Sequence, residues 1–228
     1  MPVHLLGISC SPRTDSNSTA LLSASLKRAA ETYGDDFTSE LIELRTVPIE
    51  ACKDCDVCGK RKDDGRFLDC VQKGKDGVQE VLDKMVAADG FVFATPVYFG
   101  LPSDLYSRFI MRTRVLRHQD FRLANHVAGV MAIAARRSGG AETTIMATWL
   151  PLLRNGCLIV GNGDATCQYG AMAWASGRGH VLTDEWGMEQ GYQVVERVYS
   201  VARLIKAGAD MLGFSSPMTF DYVAGTRP

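Results

Sequence analysis

Four of the seven cysteines in this chain fall within nineteen residues, as Cys52-Lys53-Asp54-Cys55-Asp56-Val57-Cys58 followed by Cys70. The C-x2-C-x2-C spacing lets consecutive thiolates wrap one compact soft-metal centre, because a tight loop turns each sulfur inward. Structural zinc prefers two C-x2-C pairs set well apart. A third cysteine two residues after a pair is common for a cubane iron–sulfur cluster. The cysteines therefore predict a [4Fe–4S] centre held by Cys52, Cys55, Cys58 and Cys70. The competing description is a surface loop of reduced thiols, since eleven residues lie between Cys58 and Cys70 and motif matches carry false positives. Cys10, Cys157 and Cys167 are left as expected buried thiols.

A second set of chemistry-bearing residues sits near the start. Ser11, Arg13, Ser16, Asn17, Ser18 and Thr19 crowd a turn just ahead of an amphipathic stretch. Hydroxyls, free backbone N–H groups and a positive helix end suit an anion, above all a phosphate monoester; the same run could simply cap the helix. Neither G-x-x-x-x-G-K-[ST] nor G-x-G-x-x-G is present, which argues against triphosphate hydrolysis and the usual dinucleotide fingerprint. Thr95-Pro96-Val97-Tyr98-Phe99-Gly100 sets an aromatic pair on a turn between proline and glycine, where a flat heterocycle can rest. Arg136-Arg137-Ser138-Gly139-Gly140 adds amides and guanidinium donors for a carbonyl edge that gains negative charge on reduction. Taken singly, the aromatics could plug a loop and the arginines could be a solvated turn.

The elements that must position these groups alternate. Short apolar runs at Val3–Ser9, Phe37–Leu44, Phe91–Thr95, His126–Ala135 and Cys157–Val160 read as strands. Helical stripes fall between them: Leu21 to Tyr33, Val78 to Val86, Leu101 to Ile110, and a stretch through Ile145 and Trp149 that Pro151 should kink or stop. A last helix carries Val194 to Ile205. Five strands alternating with helices imply a doubly wound parallel α/β sheet, with the cysteine-rich insertion after its second strand. The polar loops 10–19, 96–100, 136–140 and 161–187 each follow a strand, so they should meet at the carboxyl rim where such sheets bind ligands.

At 228 residues the chain fits one domain, with a cysteine loop at 52–70, a loop over the active site or an oligomer contact at 161–187, and a tail at 212–228. The balance of 25 basic against 26 acidic residues gives no bulk electrostatic case for nucleic acid or an anionic membrane. No apolar run approaches the roughly 20 residues that span a bilayer. The start lacks a signal-peptide pattern and the cysteine count is odd, so a reducing cytoplasm is expected.

With these stretches in this order, the chain resembles the NADPH-dependent FMN reductase superfamily, whose fold is flavodoxin-like, and within it the iron–sulfur flavoprotein branch. Ser11-Pro12-Arg13 through Ser16-Asn17-Ser18, the four-cysteine segment, Thr95 to Gly100, Arg136 to Thr144 and Gly161-Asn162-Gly163 carry the resemblance. It implies that Ser11, Arg13, Ser16, Asn17 and Ser18 hold the FMN phosphate. Pro96, Val97, Tyr98, Phe99 and Gly100 would line the isoalloxazine and ribityl chain, and Arg137, Ser138, Gly139 and Gly140 the pyrimidine edge. The departure is at Cys70: the family usually leaves about four to seven residues before the fourth cysteine, and the longer loop here closes at small entropic cost.

The expected activity is an FMN-dependent oxidoreductase with a [4Fe–4S] cluster, passing electrons between a one-electron carrier such as ferredoxin, or NAD(P)H as co-substrate, and a small acceptor. No catalytic side chain is required, because the chemistry rests on the flavin; of the four histidines, only His180 lies in a loop that could cover it. The alternatives are a cluster-free NAD(P)H-dependent FMN or quinone reductase, an FMN-linked dehydrogenase of one metabolite, and a non-enzymatic zinc or thiol redox module. The resemblance also implies a homodimer or homotetramer.

Overall fold

The computed structural model describes residues 2–163 and 167–213. Six strands, β1 (Val3–Ser9), β2 (Phe37–Glu43), β3 (Gly90–Pro96), β4 (Val127–Ala134), β5 (Leu158–Ile159) and β6 (Ala171–Trp174), form one parallel sheet. Its order is β2-β1-β3-β4-β5, with β6 also paired to β4. The helices are α1 (Asn17–Tyr33), α2 (Val78–Ala87), α3 (Asp104–Arg112), α4 (Arg114–His118), α5 (Ala141–Arg154) and α6 (Glu185–Leu212).

Period-two alternation divides the apolar strand residues between two cores. Leu6, Ile8, Phe91, Phe93, Ala128 and Val130 pack with α2, α3 and α5, whereas Leu5, Val92, Val127, Met131 and Ile133 pack with α1 and α6. Both faces are therefore covered, as a parallel sheet requires. Gly129 lets α6 approach closely: a Cβ there would lie 2.6 Å from Val194.

Three expectations need correction. The fifth strand is split. Val127 and Ala128 pair with β5, while Met131 to Ala134 pair with β6, so two separate segments share one strand position and the 161–187 loop holds a strand of its own. Its small residues, Ala171 and Ala173, are buried without the long β-branched run that marks a strand in sequence. Pro151 does not stop α5, which continues to Arg154. It sits in the last turn, where the missing N–H removes only one ladder bond. Cys167 is exposed and lies outside the strands, just ahead of β6, whereas Cys10 and Cys157 are buried as expected; burial pushes the Cys157 thiol up to about 12. The tail beyond residue 213 lies outside the described residues.

Candidate flavin site and cysteine segment

The loops after β1, β3 and β4 interlock at the carboxyl rim. Ser103 organises the first two. As N-cap of α3 its hydroxyl accepts from the Tyr106 N–H, and it donates to the Cys10 carbonyl at 2.5 Å, while its own N–H donates to Thr95 Oγ1. Sequence reasoning passed over Ser103, although Ser-Asp ahead of an apolar stripe is a helix-start signal. The second and third loops touch backbone to backbone. A Cβ on Gly140 would lie 2.8 Å from the Gly100 Cα, and both glycines have positive φ, +76° and +94° for Gly100 and Gly140. Reciprocal hydrogen bonds between Tyr98 and Leu101 close a tight turn, with Phe99 at φ +53°. Phe99 is fully exposed at 107% and Tyr98 is partly exposed.

In the first loop, Ser16 caps α1 by accepting from the Ser18 and Thr19 N–H groups. Ser11 and Ser18 are buried, and Arg13 is exposed. Asn17 is engaged elsewhere: its amide donates to the Gly177 carbonyl and accepts from the Val181 N–H. With the Arg178–Asp15 ion pair at 2.8 Å, this ties residues 177–181 over the first loop. His180, in that strap, lies 2.9 Å from Ser176 Oγ through its Nδ1. Arg137, Ser138 and Gly139 project as an exposed tip ahead of α5. The rim thus presents a capped helix end, an uncovered aromatic and two glycine backbones in contact, a cradle that fits a flat phosphorylated heterocycle.

The cysteine segment runs between β2 and α2. Among the described residues, no three His, Cys, Asp or Glu side chains are gathered as a metal site. Burial first, and then the thiols of Cys70 and Cys52, push the Cys58 thiol above its ordinary value against the opposing charge of Arg114. Cys58 Sγ is also 3.8 Å from His118 Nδ1, and Cys55 is exposed. A groove of about 820 Å³ opens beside Cys52, lined also by Met111, Arg114, His118 and Leu150. All-thiol donors, flanking cations and open room beside them fit a soft anionic centre.

The long spacing to Cys70 has a local explanation. Arg61 pairs with Phe67 in an antiparallel bridge, Lys62 N–H donates to the Arg66 carbonyl, and Leu68 N–H donates to the Lys60 carbonyl. Arg61 stacks over the Phe67 ring at 3.7 Å. Residues 61–67 are therefore a hairpin that closes on itself. Along its paired base only four residues, Gly59, Lys60, Leu68 and Asp69, separate Cys58 from Cys70.

Comparison with known proteins agrees with this architecture. The family model for NADPH-dependent FMN reductase matches residues 3–167. An iron–sulfur flavoprotein of Methanocaldococcus jannaschii is 34% identical over 90% of this chain and 100% of its own length. One from Methanosarcina thermophila is 29% identical over 91% of this chain and 100% of its own. The solved structure of RosB, 18% identical, superposes with a TM-score of 0.64 over 99% of this chain and 92% of that one, which bears on the fold alone. By its matched family model and by relatives that align along nearly all of its length, the chain belongs to the NADPH-dependent FMN reductase family, in its iron–sulfur flavoprotein branch, and is an FMN-dependent oxidoreductase.

Proposed function

We propose that this oxidoreductase couples FMN to a [4Fe–4S] cluster on Cys52, Cys55, Cys58 and Cys70, and passes electrons between a one-electron carrier or NAD(P)H and a small acceptor. The observation that carries the proposal is the hairpin at 61–67, whose paired base brings Cys70 back towards Cys58. FMN supplies hydride acceptance and release of single electrons.

The chain's own residues bind and orient. Ser11, Ser16, Ser18 and Arg13 meet the phosphate at the positive end of α1. Pro96, Val97, Tyr98, Phe99 and Gly100 support the ring and its side chain. Arg137, Ser138, Gly139 and Gly140 face the pyrimidine edge, where donors stabilise charge that grows on reduction. Asn17 holds the strap at 177–181 over the phosphate end, which restricts water and helps choose the acceptor.

The absence of a preassembled thiol group among the described residues favours a second reading, an FMN reductase without a cluster that draws on NAD(P)H. Anaerobic purification, followed by iron and sulfide analysis and a visible spectrum, separates the two. Near-stoichiometric FMN with about four irons per chain is expected. A yellow protein free of iron and sulfide would establish the second reading.

The hairpin yields its own test. Replacing Arg61–Phe67 by Gly-Gly is expected to leave the iron-to-FMN ratio at the value of the intact chain, because the base pairing at Lys60 and Leu68 lies outside the excision. Loss of iron with FMN retained would show that the hairpin is part of the ligand scaffold.

A further inference from the structure

Arg112, at the end of α3, is a buried guanidinium at 4% exposure. It donates to Asp76 at 2.5 Å, to the Glu50 carbonyl at 2.8 Å and, through its other terminal nitrogen, towards Cys70 Sγ at 4.0 Å. Asp76 in turn accepts from the Glu50 N–H at 3.0 Å. One carboxylate and one guanidinium therefore fasten the chain two residues before Cys52, at Cys70, and just ahead of α2. A buried charge persists only when matched and hydrogen-bonded, which fixes this geometry tightly.

Arg114, two residues on, takes the middle of the segment. Its guanidinium bonds both Asp54 and Asp56, the residues on either side of Cys55. Both aspartates have positive φ, +49° and +54° respectively, a left-handed conformation uncommon outside glycine that aspartate tolerates better than most side chains. Residues 112–114 thus grip both ends and the centre of the cysteine loop. The other end of α3 is Ser103, which binds the loops of the flavin rim. Nine residues at 1.5 Å rise make a strut of about 13 Å between the two sites.

We propose that Arg112 and Arg114 are positioning residues that hold the cysteine segment at the junction of α3 and α4 and raise the reduction potential of the centre its thiols bind. This rests on the cluster reading above. One-electron reduction adds a negative charge to a centre already surrounded by thiolates. A guanidinium reaching towards Cys70 Sγ and a second one bound to the aspartates that flank Cys55 favour the more negative state, because hydrogen bonds and charge near the ligands tune such centres.

The test uses the full chain purified anaerobically, with Arg112→Lys and Arg114→Gln. Lysine keeps the charge opposite Asp76 but cannot span three acceptors at once; Arg114 is a third exposed, so its replacement spares the core. Iron, FMN and the midpoint potential, read by spin resonance during reductive titration, are compared with the parent. FMN content is expected to stay at the parent value, with a midpoint more negative by about 59 mV, a tenfold loss of electron affinity for one electron. A reduced iron-to-FMN ratio at unchanged FMN also supports the positioning role. Full iron and an unchanged midpoint in both variants would overturn it. If the parent itself holds no iron, the cluster reading fails on its own, and hydrogen exchange of residues 50–76 decides the rest: faster exchange in Arg114→Gln supports the brace, and unchanged exchange in both variants overturns it.

Discussion

Gly140→Ala is expected to weaken FMN binding by about 10- to 100-fold while leaving the sheet and its helices folded. Two effects act at one atom. The backbone at φ +94° is a region that side chains rarely adopt, and the new Cβ would sit 2.8 Å from the Gly100 Cα and 3.4 Å from its N. Backbone cannot rotate away as a flexible side chain can, so the 96–101 and 136–140 loops must separate. Strain of this kind costs about 1–3 kcal/mol, and each 1.4 kcal/mol is about a factor of ten in affinity. Because the loops lie at the rim, the loss falls on the cradle rather than on either core. Gly65→Ala, at φ +83° with open space around its Cβ, is the control for backbone strain without the collision. Fluorescence titration of the apoprotein with FMN measures both variants. An unchanged dissociation constant for Gly140→Ala would show that the contact between these loops is irrelevant to the flavin.

The sheet was legible because its signals are local. Val3–Ser9 and Gly90–Pro96 are continuous apolar runs, and α1 announces itself by Ser16 ahead of a leucine stripe. Four loops that end parallel strands must share one rim, so the sequence alone puts the residues at 11–18, 96–100 and 137–140 on the same edge of the sheet. What escaped was non-local. Ala171–Trp174 carries no strand pattern, and becomes a strand only because the exposed end of β4 needs a hydrogen-bonded neighbour. Arg112 and Arg114 read as ordinary charges at a helix end. Their partners Asp76, Asp54 and Asp56 lie 36 to 60 residues away in sequence, so no spacing rule links them. Asn17 is the reverse case, a residue whose position suits an anion but whose amide the 177–181 strap has taken. The length of the Cys58–Cys70 gap was visible from the start, but only the hairpin pairing shows how little of it lies along the path between the sulfurs.

Asp76→Asn should cost about 3–5 kcal/mol of stability at neutral pH, the penalty for leaving a buried charge without its partner. Both side chains of the Asp76–Arg112 pair are almost fully buried, at 1% and 3% exposure respectively. Burial alone would raise the Asp76 carboxyl, but hydrogen bonds from Arg112 and from the Glu50 and Val78 N–H groups outweigh it and hold the group below the usual carboxylate range. A depressed folded-state value means the unfolded chain binds this proton more readily. The contribution is therefore complete above the ordinary carboxylate value and drains away as the pH falls through the lower folded value. Asparagine keeps the shape and cannot carry the charge, so the variant should lose that part of the acid limb and unfold with a flatter dependence on pH below about 4. Urea denaturation across this range, read by far-ultraviolet dichroism, gives the comparison. Because Asp76 also fastens Glu50 and, through Arg112, Cys70, exchange of the amides between residues 50 and 76 should accelerate most. Parent-like stability at pH 7 would mean that Arg112 finds another partner and that the pair does not anchor the cysteine segment.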